Sequence, residues 1–195
     1  MRGANREESV TVANMITILR LLLVPAVVYC LLAMQWQLAF AGFVVAGISD
    51  GVDGFVARRF NQRSRLGGYL DPLADKLLLV SVFVVLGFMG ELPLWLVIAA
   101  VSRDALILSA VLLSTVMANP VEIKPLMVSK ANTAAQIVLA AVVLAELAFA
   151  ADFGPLRPAL IILSALLTVA SAGAYLLAWT RHMGKYGEGG PHAGQ

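Results

Sequence analysis

The chain has 195 residues, of which 60% are hydrophobic and only 13% are charged, and its mean hydropathy is +0.86. A soluble domain averages about half apolar and about a quarter charged residues, so this composition excludes an ordinary soluble protein and predicts an integral membrane protein. The net charge of +2 is small, so its distribution along the chain matters more than its size, and we expect no nucleic-acid partner. The single cysteine, Cys30, excludes an intrachain disulfide.

The apolar runs predict an all-α membrane protein with about six transmembrane helices, because one apolar helix needs about 20 residues to cross a bilayer. The predicted spans cover residues 12–34, 36–60, 66–89, 92–117, 126–150 and 155–180. Prolines fall at the breaks, where proline begins a helix without losing a needed hydrogen bond; they are Pro93, Pro120, Pro125 and Pro155. We expect one membrane domain over residues 1–183 and a disordered, glycine-rich tail over residues 184–195.

Lysine and arginine residues concentrate on one side of the predicted spans. They are Arg2, Arg6, Arg58, Arg59, Arg63, Arg65, Lys124, Lys130, Arg181 and Lys185. The opposite side has only Glu91, Asp152 and Arg157 as charged residues. The positive-inside rule therefore predicts that both termini and the 2–3 loop are cytoplasmic, in a multi-pass protein expected in a bacterial inner membrane.

Four carboxylates interrupt the apolar runs of spans 2 and 3. Because a helix turns by about 100° per residue, Asp50 and Asp53 share one face of span 2, and Asp71 and Asp75 share one face of span 3. A short polar turn over residues 61–65 is expected to bring these faces together at the cytoplasmic ends of the two spans. Carboxylate oxygens suit Mg²⁺ or Mn²⁺, and no nearby cysteine or histidine suggests zinc. The pattern predicts a divalent-metal site there.

Small and basic residues accompany these acids. Gly54, Ala57 and Gly67 remove side chains where a ligand can approach the backbone, although close helix packing explains small residues equally well. Arg58 can donate two parallel hydrogen bonds to phosphate oxygens. Acids and an arginine at the cytoplasmic surface of a membrane predict metal-assisted transfer on a lipid phosphate.

This stretch resembles the signature of the CDP-alcohol phosphotransferases, and the chain is similar to that family over nearly its whole length. The matching pattern is Asp50-x2-Asp53-Gly54-x2-Ala57-Arg58-x8-Gly67-x3-Asp71-x3-Asp75. A narrower resemblance to the mitochondrial-type cardiolipin synthases lies in residues 61–64, 70–76, 102–104, 124–125 and 129–134. The related phosphatidylglycerophosphate synthases share residues 70–76 and the pattern Asn14-x2-Thr17-x2-Arg20.

The family resemblance implies a role for each matching residue. Asp50, Asp53 and Asp71 would hold a pair of Mg²⁺ or Mn²⁺ ions that bridge the CDP pyrophosphate, and Asp75 would lie near the metals as the general base. Cytidine and ribose would fit beside the small residues, and a phosphate would bind Arg58. The CDP-binding residues implied in this way are Gly54, Ala57, Arg58, Gly67, Asn14 and Thr17. The family also implies a homodimer.

Two further cations are candidates for binding the phosphate of the acceptor. Arg103, followed by Asp104, lies in the middle of span 4, where a charge is a functional candidate. The alternative is a local ion pair that braces the helices. Lys130 lies at the start of span 5, where its alternative is to extend towards the lipid headgroups.

The resemblance implies an enzyme that moves a phosphatidyl group from CDP-diacylglycerol, in the bilayer, to a glycerol hydroxyl and releases CMP. Phosphatidylglycerol as acceptor would give cardiolipin; glycerol 3-phosphate is the alternative. A divalent-cation transporter would also bury acids, but Arg58 beside the ligands would repel its cargo. A structural membrane subunit leaves the four acids unexplained. Neither His182 nor His192 begins an HxKxxxxD motif, which excludes the other route to cardiolipin.

Overall fold

The computed structural model describes the backbone of residues 12–60, 67–116 and 127–187, and the side chains of residues 21–49, 76–109 and 127–176. Its helices are α1 (Val12–Leu32), α2 (Trp36–Phe60), α3 (Gly67–Phe88), α4 (Leu94–Val116), α5 (Met127–Phe149) and α6 (Leu156–Gly187). No strand occurs in the described ranges. The predicted all-α fold is therefore confirmed, and each predicted span corresponds to one helix.

The end of α6 differs from the prediction. The helix continues to Gly187, so residues 184–187, which were predicted to be disordered, are helical. The backbone hydrogen bonds of a helix do not depend on an apolar sequence, so the helix can continue beyond the apolar run. Residues 188–195 of the predicted tail and the predicted turn at residues 61–65 lie outside the described part of the chain.

The described helices have the surface of a protein embedded in lipid. Within the residues searched, two segments are long and apolar enough to cross a membrane, Met127–Phe149 and Leu156–Leu176, and shorter apolar segments occur in α1, α2 and α3. Large apolar side chains such as Phe88 and Val169 are strongly exposed, which suits contact with acyl chains rather than water. The number of six crossings stays a prediction.

The helices group into two compact units. The first contains Met1–Leu92 and Ala140–Phe153, and the second contains Pro93–Leu139 and Gly154–Gln195. The first unit thus has α1, α2, α3 and the end of α5, whereas the second has α4, the beginning of α5 and α6. The single domain over residues 1–183 stays a prediction.

In the first unit, α1 packs against both α2 and α3. The buried apolar residues of these three helices recur at helical spacing, and they include Val27, Leu31, Ala39, Phe43, Ala46, Leu79, Val82, Phe83 and Leu86. Phe40 of α2 also meets the edge of Phe149 of α5, with 5.4 Å between the ring centroids. Apolar packing on α1 therefore holds the two helices that carry the acidic pattern.

The ends of α1 and α3 satisfy their last carbonyl groups with the same local motif. The amide of Gln35 donates to the carbonyl of Cys30, and the amide of Glu91 donates to that of Leu86. Between each pair lies a residue with positive φ, Met34 at 56° and Gly90 at 80°. This is a Schellman cap, which satisfies carbonyl groups that would otherwise lack partners at the helix end.

Close packing of α1 on α2 predicts a sharp difference between two glycines of α2. A Cβ on Gly42 would come within 2.8 Å of Cγ2 of Val27, whereas a Cβ on Gly47 meets nothing within 4 Å. Val27 is buried and short, so it has little freedom to move. Overpacking costs about 1–3 kcal/mol, while alanine gains about 1 kcal/mol over glycine in a helix.

We therefore expect Gly42→Ala to lower the melting temperature of the purified protein in detergent and Gly47→Ala to leave it equal or higher. Adding Val27→Ala to the Gly42→Ala variant should reverse part of the steric effect. Equal melting temperatures for the two glycine variants would contradict this packing.

Candidate active site

The acidic pattern lies on two continuous helices. Asp50, Asp53, Gly54, Ala57 and Arg58 are in α2, and α3 begins at Gly67 and contains Asp71 and Asp75. The predicted helical conformation of these positions is thus confirmed, whereas the shared face of each acid pair stays a prediction. The side chains at these positions lie outside the described set, so the joining of both pairs into one cluster stays a prediction.

Packed core extends close to both acid pairs. Ala46, four residues before Asp50, is buried in α2, and Leu78, three residues after Asp75, is buried in α3. The turns that carry the acids therefore continue directly from helical segments fixed by apolar contacts. The packed segments therefore fix the direction in which each helix carries its acids.

The predicted nucleotide-side residues Asn14 and Thr17 lie in α1. Their side chains are outside the described set, but their helix is the one that contacts both α2 and α3. The backbone therefore places them on the element shared by the two signature helices.

The donor set fits a divalent cation that prefers oxygen. Within the described side chains, no group of three or more His, Cys, Asp or Glu residues could hold a metal ion, and the four signature acids are outside that set. Those acids offer carboxylate oxygens on two helices, without a thiolate or an imidazole in the same stretch. Such a set suits Mg²⁺ or Mn²⁺.

In the second unit, Arg103 is bound on several sides within the protein. Only 3% of its surface is exposed, and it forms an ion pair with Asp104. Its Nε donates to Ser171 Oγ at 3.1 Å, and its Nη2 donates to Ser171 Oγ and Ser129 Oγ. The guanidinium carbon also lies 6.0 Å from the ring centroid of Tyr175. The ion pair considered as the alternative interpretation is therefore present within α4, and the hydrogen bonds of Arg103 to Ser129 and Ser171 join α4 to α5 and α6.

Lys130 is exposed at the beginning of α5. It directly follows Ser129, the residue that Arg103 holds. An exposed lysine here can contact a phosphate or a lipid headgroup. The roles of Arg103 and Lys130 in binding an acceptor phosphate stay predictions.

A row of polar residues between α5 and α6, all buried except the half-buried Ser129, was not predicted. It contains Ser129, Asn132 and Gln136 of α5 and Ser164, Thr168 and Ser171 of α6; we call it the polar seam. Asn132 accepts a hydrogen bond of 3.0 Å from Thr168, and both are buried. The signal was present in the sequence, since each set recurs at intervals of three or four residues along an apolar helix.

Comparison with known proteins relates the whole arrangement to one family. The family model described as CDP-alcohol phosphatidyltransferase matches residues 10–171. That range includes all eight signature positions and residues of all six helices.

Curated relatives match a shorter part of the chain. A putative cardiolipin synthase from Mycobacterium tuberculosis (strain ATCC 25618 / H37Rv) is 45% identical over 100 residues, covering 50% of this chain and 47% of the relative. Human cardiolipin synthase (CMP-forming) is 39% identical over 101 residues, covering 51% and 34%. A probable phosphatidylglycerophosphate synthase from Mycobacterium tuberculosis (strain CDC 1551 / Oshkosh) is 33% identical over 107 residues, covering 52% and 51%. The matches thus span about half or less of the curated relatives.

The contacts of Arg103 predict that Ser171 supports the fold of the second unit. Ser171→Ala removes the acceptor of two guanidinium hydrogen bonds in a buried site, which should cost about 1–3 kcal/mol. Ser109→Ala is the matched control, because the exposed Ser109 hydroxyl donates only to the carbonyl of Ala105 in its own helix. Its effect should stay within about 0.5 kcal/mol. Thermal unfolding in detergent measures both, and equal stability of the two variants would refute the bracing role.

Proposed function

Because the chain belongs to the CDP-alcohol phosphatidyltransferase family, we propose that it transfers the phosphatidyl group of CDP-diacylglycerol to a glycerol hydroxyl and releases CMP. The observation that carries this proposal is the family match over residues 10–171, with the complete acidic pattern on two continuous helices. The relatives support it by name, since they are cardiolipin synthases and a phosphatidylglycerophosphate synthase.

In the proposed reaction, the acceptor hydroxyl oxygen attacks the phosphorus atom of the phosphatidyl group. The new phosphorus–oxygen bond forms as the bond to CMP breaks, and Asp75 accepts the hydroxyl proton. Asp50, Asp53 and Asp71 would hold the divalent ions, with Asp75 near them. Two bound ions would offset the charge of the pyrophosphate and of the leaving CMP.

The other signature residues would bind and orient the nucleotide. Arg58 would donate to a phosphate oxygen, since guanidinium matches phosphate geometry. Gly54, Ala57 and Gly67 would leave room for cytidine and ribose beside the helix backbones. No covalent nucleophile is needed in this scheme, because the acceptor hydroxyl attacks directly.

We favour phosphatidylglycerol as the acceptor, which makes the product cardiolipin. Glycerol 3-phosphate carries a dianionic phosphate and would require several fixed cations. Arg103, one of the two candidate cations, already donates hydrogen bonds to Asp104, Ser129 and Ser171. A phosphodiester has less charge to neutralise, and an exposed Lys130 suits it. The cardiolipin synthases also match at higher identity than the phosphatidylglycerophosphate synthase.

A product assay tests the choice of acceptor. The purified protein receives labelled CDP-diacylglycerol, Mg²⁺ and either phosphatidylglycerol or glycerol 3-phosphate, and the lipid products are separated. We expect cardiolipin from the first mixture and little product from the second. If phosphatidylglycerophosphate is the sole product, the acceptor is glycerol 3-phosphate and the proposed phosphatidyl transfer still stands. If no CMP is released with either acceptor, the proposed reaction itself is overturned.

The proposed base makes a separate prediction for Asp75. Asp75→Asn should lower CMP release by about 10²-fold or more, because the amide cannot accept the proton, while much of the binding of CDP-diacylglycerol remains. Asp152→Asn, outside the signature in the α5–α6 connection, is the control and should retain activity. Turnover of the Asp75→Asn variant near that of the control would remove Asp75 from this role.

We also propose a multi-pass topology in a bacterial inner membrane with both termini in the cytoplasm, from the asymmetry of lysine and arginine. The homodimer remains an expectation from the family resemblance. In a Cys30→Ser background, an impermeant thiol reagent added to intact cells should label Asp152→Cys but not Arg63→Cys. Labelling of the Arg63→Cys variant from outside would contradict the proposed orientation.

A further inference from the structure

The polar seam consists of three successive pairs of side chains across antiparallel helices. Nη2 of Arg103 joins Ser129 and Ser171 in the first pair. Thr168 donates to Asn132 in the second pair. One turn further, Gln136 lies four residues after Asn132 and Ser164 lies four residues before Thr168, and we assign these two residues to a third pair. The register of the first two pairs therefore places Gln136 and Ser164 at the same level of the seam.

The third pair has no hydrogen bond across it, and one atom of the second pair is also unpaired. Asn132 Nδ2, Gln136 Nε2 and Ser164 Oγ have no hydrogen-bond partner, although their residues are 0%, 2% and 0% exposed. Buried polar atoms in native proteins are nearly always hydrogen-bonded. The interior of a membrane protein has no bulk water to satisfy them. Three such atoms on neighbouring turns of one seam point to an occupant.

The unpaired atoms define the chemistry of that occupant. Two are amide nitrogens that donate, and the third is a hydroxyl that donates or accepts. One hydroxyl oxygen accepts two hydrogen bonds through its lone pairs and donates one through its own hydrogen, so it matches all three atoms. If the oxygen and nitrogen of Asn132 are exchanged, its unpaired atom becomes an acceptor, which a hydroxyl also satisfies.

Charge excludes the simplest ionic alternatives. The unpaired amide nitrogen of Gln136 would repel a metal cation in either orientation of Asn132, and the charge of Arg103 beside the first pair is already matched by Asp104. An anion at the third pair would therefore lack a free counter-charge among the residues of the seam. The occupant is neutral.

We propose that Asn132, Gln136 and Ser164 bind one uncharged hydroxyl group between α5 and α6. Two sources have this chemistry, a resident water molecule and a glycerol hydroxyl of the acceptor lipid. The lipid source rests on the proposed function, whereas the hydroxyl site itself stands on the three unpaired atoms.

The first test uses the sign of a stability change. Removing a polar group that is truly unpaired raises stability, whereas removing one that binds a hydroxyl lowers it. We expect Ser164→Ala and Gln136→Met each to lower the melting temperature by roughly 2–4 °C in detergent. The double variant should lose less than the sum, because both groups bind the same oxygen. Ser109→Ala, with its exposed hydroxyl, is the control and should not shift.

The second test separates the two sources by comparing phosphatidylglycerol with phosphatidylethanol of the same acyl chains. Both lipids are phosphodiesters of equal charge, but only the first has headgroup hydroxyls. If the lipid supplies the hydroxyl, phosphatidylglycerol raises the melting temperature more than phosphatidylethanol does, and Ser164→Ala removes that difference. If water supplies it, the two lipids act alike and the losses in the variants persist.

Unchanged or raised melting temperatures in both Ser164→Ala and Gln136→Met would overturn the hydroxyl site. The readout does not require turnover, so it separates this proposal from the proposed function. Absence of CMP release, together with lowered melting temperatures in both variants, would refute the enzyme and leave a water-binding site. Normal CMP release together with raised melting temperatures in both variants would refute the hydroxyl site and leave the proposed enzyme in place.

Discussion

The burial of Arg103 sets the constraint on which the second unit depends, because a charge inside an apolar helical protein must find its partners within the chain. Arg103 meets this constraint with Asp104 of its own helix and with serines on two other helices. Its hydrogen bonds therefore fix the register of α4, α5 and α6 at one level. The polar seam continues from that level, so the position of Asn132 and of the pairs beyond it depends on the same interaction.

The two units differ in their buried polar residues. Among the side chains that the structure describes, every buried polar or charged residue belongs to the second unit. The described core of the first unit is apolar, with Val27, Leu31, Phe43 and Phe83 at its centre. This suits the proposed roles, because apolar packing can hold α2 and α3 without competing for the four carboxylates that a metal would need. Substitutions in the described core of the first unit should then act through size, and those of the buried polar residues in the second unit through lost hydrogen bonds.

Much of the helical framework could be predicted because a hydrocarbon layer requires long apolar segments with polar breaks. The ends of α1 to α5 follow those segments closely, whereas α6 extends to Gly187 because helical hydrogen bonding does not stop where apolarity stops. The acidic pattern was predictable from spacing along each helix. The bonds of Arg103 to Ser129 and Ser171 were not, because spacing gives the face of a helix but not the helix that it meets. For the same reason, the pairing of Asn132 with Thr168 required the structure.

The central claim is that the acids of α2 and α3 form one divalent-metal site, and that this site acts on CDP-diacylglycerol. Electron paramagnetic resonance of Mn²⁺ titrated into the purified protein with CDP-diacylglycerol tests it most directly, since bound ions lose the signal of free Mn²⁺. We expect about two bound ions per chain, a clear loss of binding in Asp53→Asn, and no loss in Asp152→Asn. An absence of bound Mn²⁺ in the unaltered protein, or equal binding in Asp53→Asn, would contradict the account.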